Sequence, residues 1–355
     1  MIEEFQVRKD DLAKTRTARC DFALQDGEIL ARIDRFALTA NNVTYGVVGE
    51  RIGYWKFFPA EGGWGQIPVW GFADIVESRS VQVKPGERLY GYLPMATHLV
   101  MRPDRVKPER LIDGAVHRAE LPPVYNAYSR VNAGPKFDPA LEDPFMLLFP
   151  LYATSFCLYD FLLDNRWFGA DQVVIGSASS KTAIGLAYAL EADDTAPQSV
   201  GLTSRRNLEF VEALGLYDRV VGYDDLGSIA KRPTAIVDMS GDGKVISDLH
   251  ARLGDDMKYT SNVGITHYEN AGMGPDFIRE RSAMFFAPGH IEKRGRDWGP
   301  GAFETKALAF WRDAAVKSRA WLKIERIRGF EGLETAWGEL LGGRASPQQG
   351  LIAVM

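Results

Sequence analysis

The sequence predicts an α/β protein in which a parallel sheet with crossover helices is joined to a β-rich module. Three observations carry that expectation. Beyond Asp171, short β-branched runs alternate with helical patterns, the texture of parallel strands linked by helices. Before it, residues 27–101 hold strand-like pieces separated by Gly and Pro turns, which suggests a compact antiparallel or barrel-like module. Between the two lies QVVIGSASSKTAIGLAYAL, residues 172–190, where a strand meets a turn of small residues and then an amphipathic helix.

Length and composition set the frame for these elements. A chain of 355 residues suggests two domains, and 46% hydrophobic residues supply ample cores. The 42 Lys and Arg against 47 Asp and Glu give a net charge of -5 with the signs mixed, so the basic footprint of a nucleic-acid partner is missing. Cys20 and Cys157 stand far apart with no C-x-x-C, which supports neither a disulfide framework nor a cysteine zinc site. A reducing cytoplasm is the expected compartment. The N-terminus MIEEFQVRKDDLAKTR lacks the apolar region of a signal peptide, and no apolar run is expected to reach the roughly 20 residues that span a bilayer.

In chain order, the first strand is expected over residues 27–36, where Ile29, Ala31 and Ile33 share a face. Further strands follow at 67–78, 86–94 and 97–101, with Lys84-Pro85-Gly86 as a turn. The apolar stretch 145–163 reads as a buried helix after Pro150. Parallel strands are then expected at 172–176, 199–203, 219–222, 235–239 and 258–263, with helices in the gaps. The last segment carries helix patterns around ALAFWRDAAVKSRAWL and GLETAWGELLGG and ends in the strand-like LIAVM. The domains implied are 1–145 with 291–355, and 146–290.

A strand that ends in a turn of small residues lets the backbone approach a pyrophosphate, whose charge is stabilised by the amides and dipole at the helix start. Gly176, Ser179 and Thr182 sit at the punctuation points of this turn, with Ser180 and Lys181 between them. An ordinary strand-to-helix turn is the alternative. A P-loop fails, because it needs glycines where this chain has Ser180 and Ile175. After the second strand, a fold that prefers NAD places Asp or Glu, whereas Arg and hydroxyl groups accommodate the 2′-phosphate of NADP. This chain reads Thr203, Ser204, Arg205 and Arg206, which favours NADP. A solvated basic helix start would look the same, although arginines there oppose the helix dipole unless an anion is bound.

The order of the pieces resembles the medium-chain dehydrogenase/reductase superfamily, in particular its zinc-independent quinone and enoyl reductase branch. Asn42 in ALTANNVTYGVVG resembles the Asn after the family's early strand, and PVWGFADIVES resembles its P-x-x-x-G-x-x-x-x-G-x-V segment. VKPGERLYGY resembles the V-K-x-G-D-R-V-x-G turn with Glu87 for Asp, LYATSFCLYDFL resembles a Thr-containing helix, and Gly176, Ser179 and Thr182 fall on A-x-x-G-x-x-G. The S-S-K-T-A turn and the F-A-P-G-H-I segment resemble a narrower group, DUF2855. The resemblance implies a Rossmann-type parallel-sheet domain plus an N-terminal β-rich GroES-like barrel domain completed by the C-terminal segment. It further implies NADP(H) as cofactor, a homodimer, and hydride transfer without metal. Tyr45, three residues after Asn42, becomes the first choice of proton donor. Tyr152 and Thr154 would lie on the helix where the family's Thr contacts nicotinamide or its ribose, and Asn262 would line the cofactor groove. Where the zinc branch has a His-Glu motif this chain has Gly71-Phe72-Ala73-Asp74, and His98, His117, His250, His267 and His290 are dispersed without i, i+4 pairing.

Two segments suggest a covered substrate pocket. RIGYWKFFPAEGGWG brings Tyr54, Trp55, Phe57, Phe58 and Trp64 together, and FFAPGHIEKRGRDWG sets Phe286 beside His290, Lys293, Arg294 and Arg296. The first is equally readable as a satellite hydrophobic cluster, the second as a carboxylate or phosphate clamp or a subunit contact. The leading expectation is an NADP(H)-dependent, metal-independent oxidoreductase that reduces an activated C=C or carbonyl of a small molecule. A nucleotide-binding sensor or structural protein, and a lyase or isomerase on the same fold, stay open.

Overall fold

The structure, a computed structural model, describes residues 1–131, 138–263, 272 and 274–355. They fall into two units, Met1–Leu147 with Leu322–Met355, and Leu148–Trp321.

The first unit opens with β1 (Ile2–Arg8), β2 (Thr15–Cys20), β3 (Ile29–Leu38), α1 (Ala40–Val47), α2 (Gly49–Ile52), β4 (Trp64–Gly65), β5 (Pro68–Ser78) and β6 (Arg88–Pro94). It continues with β7 (His98–Met101), β8 (Pro103–Asp104), β9 (Arg110–Asp113) and β10 (Ala127–Arg130). Strand β3 organises the unit. It pairs antiparallel with β5 along one side and with β7 near its start on the other. Its inward residues Ile29, Ala31 and Ile33 follow a two-residue period, and a register shift between Ile33 and Arg35 turns Phe36 and Leu38 into the same core.

Helix α3 (Glu142–Asp164) comes next and differs from expectation at its start. It begins before Pro150 and runs through it. The Thr154 hydroxyl donates to the Pro150 carbonyl at 3.1 Å, a side-chain bond within the turn that follows the ring. By length and composition alone, Pro139–Asp164 is long and apolar enough to cross a membrane, contrary to the sequence expectation. Many of its large apolar side chains, among them Phe145, Leu148, Tyr152, Leu158 and Leu162, are buried in the protein.

The second unit carries β11 (Gln172–Gly176), α4 (Lys181–Glu191), β12 (Gln198–Thr203), α5 (Leu208–Ala213), β13 (Arg219–Gly222) and β14 (Thr234–Asp238). It closes with α6 (Gly243–Leu253), β15 (Met257–Asn262), β16 (Ser282–Met284), α7 (Ala287–Trp298) and α8 (Ala302–Ser318). The sheet runs β13-β12-β11-β14-β15-β16, every pair parallel. Successive residues of β11 feed different cores: Val173 and Ile175 pack with Leu186 of α4, and Val174 packs with Leu249 of α6. A strand covered on both faces must be apolar throughout, which is why its sequence shows a β-branched run rather than alternation. The strand order reverses between β11 and β14, the switch point at which open parallel sheets of the Rossmann type bind ligands.

The chain then returns to the first unit with β17 (Lys323–Arg328), α9 (Gly329–Leu341) and β18 (Gln349–Val354). Strand β18 joins β3 beyond the end of β7, giving the order β17-β18-β3-β5-β6-β10-β9-β8. The C-terminal segment thus completes the β-rich sheet. The return to this unit falls at Trp321/Leu322 where the sequence reading puts it at 290/291. Phe303 and Ala307 of α8 pack with Cys157 of α3, and Lys317 of α8 pairs with Glu191 of α4, which ties α8 to the parallel-sheet unit.

Candidate functional site

The turn between β11 and α4 is built from side chains that lie far away in sequence. Gly176 ends β11 where a Cβ would stand 2.8 Å from Asp238 Oδ1, so a larger residue would displace the Asp238 carboxylate at the switch point. Ser177 then takes a left-handed φ of 55°, and its N–H donates to the Tyr223 hydroxyl at 3.0 Å. The Tyr217 hydroxyl donates to the Ala178 carbonyl at 2.8 Å, and Asn207 Nδ2 donates to Ser179 Oγ at 2.9 Å. Ser180 is the N-cap of α4, accepting from Ala183 N–H at 3.3 Å. Ser155 Oγ of α3 lies 2.7 Å from the Thr182 carbonyl. The first amides of α4 therefore point toward the turn from a helix end held on several sides. Lys181 is half-buried there, and burial pushes its ammonium down to about 8.

Unsatisfied polar atoms gather at the same end of the sheet. Ser204 follows β12, and its Oγ is buried without a hydrogen-bond partner. Arg205 and Arg206 follow it and are exposed. At the end of β15, Ser261 Oγ and Asn262 Oδ1 are likewise buried without partners, while Asn262 Nδ2 donates to the Ala283 carbonyl at 3.3 Å. Buried polar groups are rarely left unpaired, and each such atom calls for an explanation. Asp238, at the end of β14, accepts from Ser240 N–H at 2.9 Å, Ser240 Oγ at 2.6 Å and Gly241 N–H at 3.0 Å. Burial pushes its carboxyl up against those bonds.

In the first unit, Asn42 is buried and committed to the fold. Its Oδ1 accepts from Thr39 N–H at 2.7 Å and its Nδ2 donates to the Pro68 carbonyl at 2.9 Å, so any role toward substrate competes with capping α1. Tyr45 lies in an aromatic cluster with Tyr54, Phe57, Phe58 and Tyr92, against which Trp70 and Tyr125 pack. Its ring centroid is 4.4 Å from that of Tyr54 and 5.8 Å from that of Tyr92. Burial pushes the Tyr45 phenol well above its ordinary value, and those of Tyr54 and Tyr92 with it. The aromatic segment divides. Tyr54, Phe57 and Phe58 join Tyr45, whereas Trp55 is a core residue pressed between Gly49 and Gly65, and Trp64 lies under Arg16.

Other expected residues lie within the Leu148–Trp321 unit. Tyr152 is buried, and its hydroxyl lies 2.7 Å from Ser318 Oγ of α8, a bond that holds α3 to α8. Thr154 is spent on the Pro150 carbonyl. Phe286 is exposed before α7. The basic cluster behind it closes on itself. His290 Nε2 and Arg294 Nε each lie 2.5 Å from Asp160 Oδ2, Lys293 pairs with Asp164 and Asp297, and Arg296 pairs with Glu292. The anion clamp expected there is instead an ion network, neutralised by Asp160 and Asp164 of α3, more than a hundred residues earlier, and by Glu292 and Asp297 of α7 itself. No group of three metal-ligating side chains is found among the described residues, and His267 lies outside them. Sequence reading did not single out Asn207, Tyr217, Tyr223 or Asp238, nor Tyr92 and Tyr125 around Tyr45. The first four reach the β11–α4 turn, and the last two the Tyr45 cluster, through the fold of their own unit, and none carries a local motif.

The family described as "Protein of unknown function (DUF2855)" matches residues 36–346. No curated protein matches the chain. Among solved structures, the fold is similar to that of CurA from Vibrio vulnificus in complex with NADPH, at 12% identity over 99% of both chains with a TM-score of 0.65. It is similar to the quinone oxidoreductase from Coxiella burnetii, at 14% identity over 100% of this chain and 99% of that one with a TM-score of 0.56. S. aureus TarJ in complex with NADPH is similar at 10% identity, over 100% of this chain and 99% of that one, with a TM-score of 0.56. At such identities the likeness is one of fold.

Proposed function

Since the chain belongs to the DUF2855 family, we propose from its own residues that it is an NADP(H)-dependent oxidoreductase of the cytoplasm. It would reduce an activated C=C or carbonyl of a small molecule without a metal. The observation that carries this reading is the buried, unpartnered Ser204 Oγ followed by exposed Arg205 and Arg206 at the end of β12. An open parallel sheet meets the adenosine ribose at that position, and a 2′-phosphate would give Ser204 Oγ an acceptor beside two exposed cationic side chains. The fold neighbours in complex with NADPH, CurA and TarJ, agree with it.

The residues present fit a dinucleotide. The amides at the start of α4, with Ser179 and Lys181, would hold the pyrophosphate, and Asn262 Oδ1 would accept from the nicotinamide carboxamide. When bound, NADPH supplies a hydride equivalent. The chain's part in the chemistry is to orient, to exclude water and to hold a proton. Tyr45 is the candidate for the last role by its place in the aromatic cluster; burial pushes its phenol up and makes it a weaker acid, so it would give its proton only to the strongly basic oxyanion or carbanion that hydride addition leaves on the substrate.

Fluorescence titration with NADPH and NADH, beside the double variant Arg205→Ala and Arg206→Ala, tests the reading. NADPH is expected to bind more tightly than NADH, and the variant to lose about 10- to 100-fold toward NADPH alone, the scale of one or two charge-assisted bonds. Consumption of NADPH on addition of an enone or quinone then separates reduction from mere binding. Binding without turnover on any acceptor would favour the sensor reading.

A further inference from the structure

Asn207 does two things at once. Its backbone N–H donates to the Ser204 carbonyl at 2.9 Å, closing the Arg205–Asn207 turn that presents Ser204 and the two arginines. Its side chain donates through Nδ2 to Ser179 Oγ at 2.9 Å, in the turn before α4. An amide nitrogen donates only, so Ser179 Oγ must act as acceptor in this bond and its own proton is left for another acceptor. Phosphate oxygens are acceptors only. The bond thus sets the polarity of Ser179 for an anion, in a position where a glycine would have offered no hydroxyl at all. In sequence Ser179 and the Ser204–Arg206 run belong to two separate turns; the structure links them through one residue.

We propose that Asn207 is a positioning residue that couples the two phosphate-binding turns, so that recognition of the 2′-phosphate depends on Ser179. The inference rests on the NADP reading and deepens it. It carries a consequence that neither turn has alone. A ligand that reaches only the Ser204–Arg206 turn senses a change made at Ser179, and the effects of changing Ser179 and Asn207 do not add, because both changes break the same link.

The probe is adenosine 2′-monophosphate, which carries the 2′-phosphate and lacks the pyrophosphate. Its affinity is measured by calorimetry for the full chain and for Ser179→Ala, Asn207→Ala and the double variant, with thermal melting to confirm that each is folded. Each single variant is expected to weaken the probe by about three- to tenfold, the worth of one hydrogen bond, and the double variant to be no weaker than either single one. Asn207→Asp, whose carboxylate would accept from Ser179 Oγ and so take the proton meant for the anion, is expected to weaken the probe at least as much as Asn207→Ala. Unchanged affinity in Ser179→Ala, or losses that multiply in the double variant, would overturn the coupling while leaving the NADP reading intact. A wild-type chain that binds neither the probe nor NADPH would overturn the NADP reading and the coupling with it.

Discussion

At the scale of single residues, Lys181 shows how the site's chemistry can be read in a titration. Burial lowers its ammonium to about 8. Since its charged form is the disfavoured one, the cost to folding is fully present below pH 8, is at most about 3 kcal/mol, and is relieved as pH rises toward 10.5. An anion at the start of α4 would favour the charged form and raise that value again. NADPH affinity is therefore expected to stay level between pH 7 and 8 and to weaken above it by up to about tenfold per pH unit, as the unliganded protein loses the proton that the complex retains. In Lys181→Met the dependence should vanish along with about tenfold of affinity at pH 7. Titration across pH 7 to 10 decides it, and an alkaline fall that survives the substitution would remove Lys181 from the site. Residues of this kind were legible because they sit inside a strand, turn and helix pattern. His290 and Arg294 were not, because a run of basic side chains in sequence carries no sign that Asp160 will cover it.

At the scale of elements, the packing of α3 against α4 makes the sharper demand. A Cβ on Gly185 would stand 2.5 Å from Ser155 Oγ and 2.7 Å from Tyr152 Cδ1, so the two helices approach each other at a distance only glycine allows. Gly185→Ala is expected to cost about 1 to 3 kcal/mol, the usual cost of overpacking. Gly338 lies inside α9 with nothing within 4 Å of its Cβ position, and Gly338→Ala should stabilise by up to about 1 kcal/mol. Thermal melting of the pair, with opposite signs expected, separates contact from propensity. The same contrast explains which elements could be read. Strands β11 and β13 were expected with the bounds found, and β12, β14 and β15 within one residue; for β11 and β14 the reason is that a strand buried on both faces writes a β-branched run into the sequence. Strand β17 was not expected, since KIERIR spaces Ile324 and Ile327 three apart and buries neither fully. Helix α3 was expected too short, because Pro150 signals a helix start in sequence but is accommodated within the turn that Thr154 closes.

At the scale of the whole molecule, the two residue groups that matter lie in different units. Gly176 to Thr182, Ser204 to Asn207 and Asn262 belong to Leu148–Trp321, whereas Asn42, Tyr45 and their aromatic neighbours belong to Met1–Leu147 with Leu322–Met355. The sequence reading expected a β-rich module interrupted by a βα segment, with its return at 290/291; the return falls instead at Trp321/Leu322, because α7 and α8 belong with the parallel sheet. On the proposed reading, nucleotide binding would act by linkage on the unit that carries these turns. At a concentration of NADPH one hundred times its Kd, the bound state gains about 2.7 kcal/mol against unfolding. Hydrogen exchange with NADPH should slow the amides of β11, the Ser177–Thr182 turn, the start of α4 and residues 204–207, while the strands β5, β6 and β10 of the other unit keep their rates. Addition of a reducible acceptor analogue should then slow exchange around Tyr45 and residues 54–58. Protection by NADPH confined to β5, β6 and β10 would place the nucleotide elsewhere and remove the basis of the oxidoreductase reading. Protection of the turn by NADPH, with the aromatic segment responding to acceptor, would assign cofactor and substrate to the two units separately.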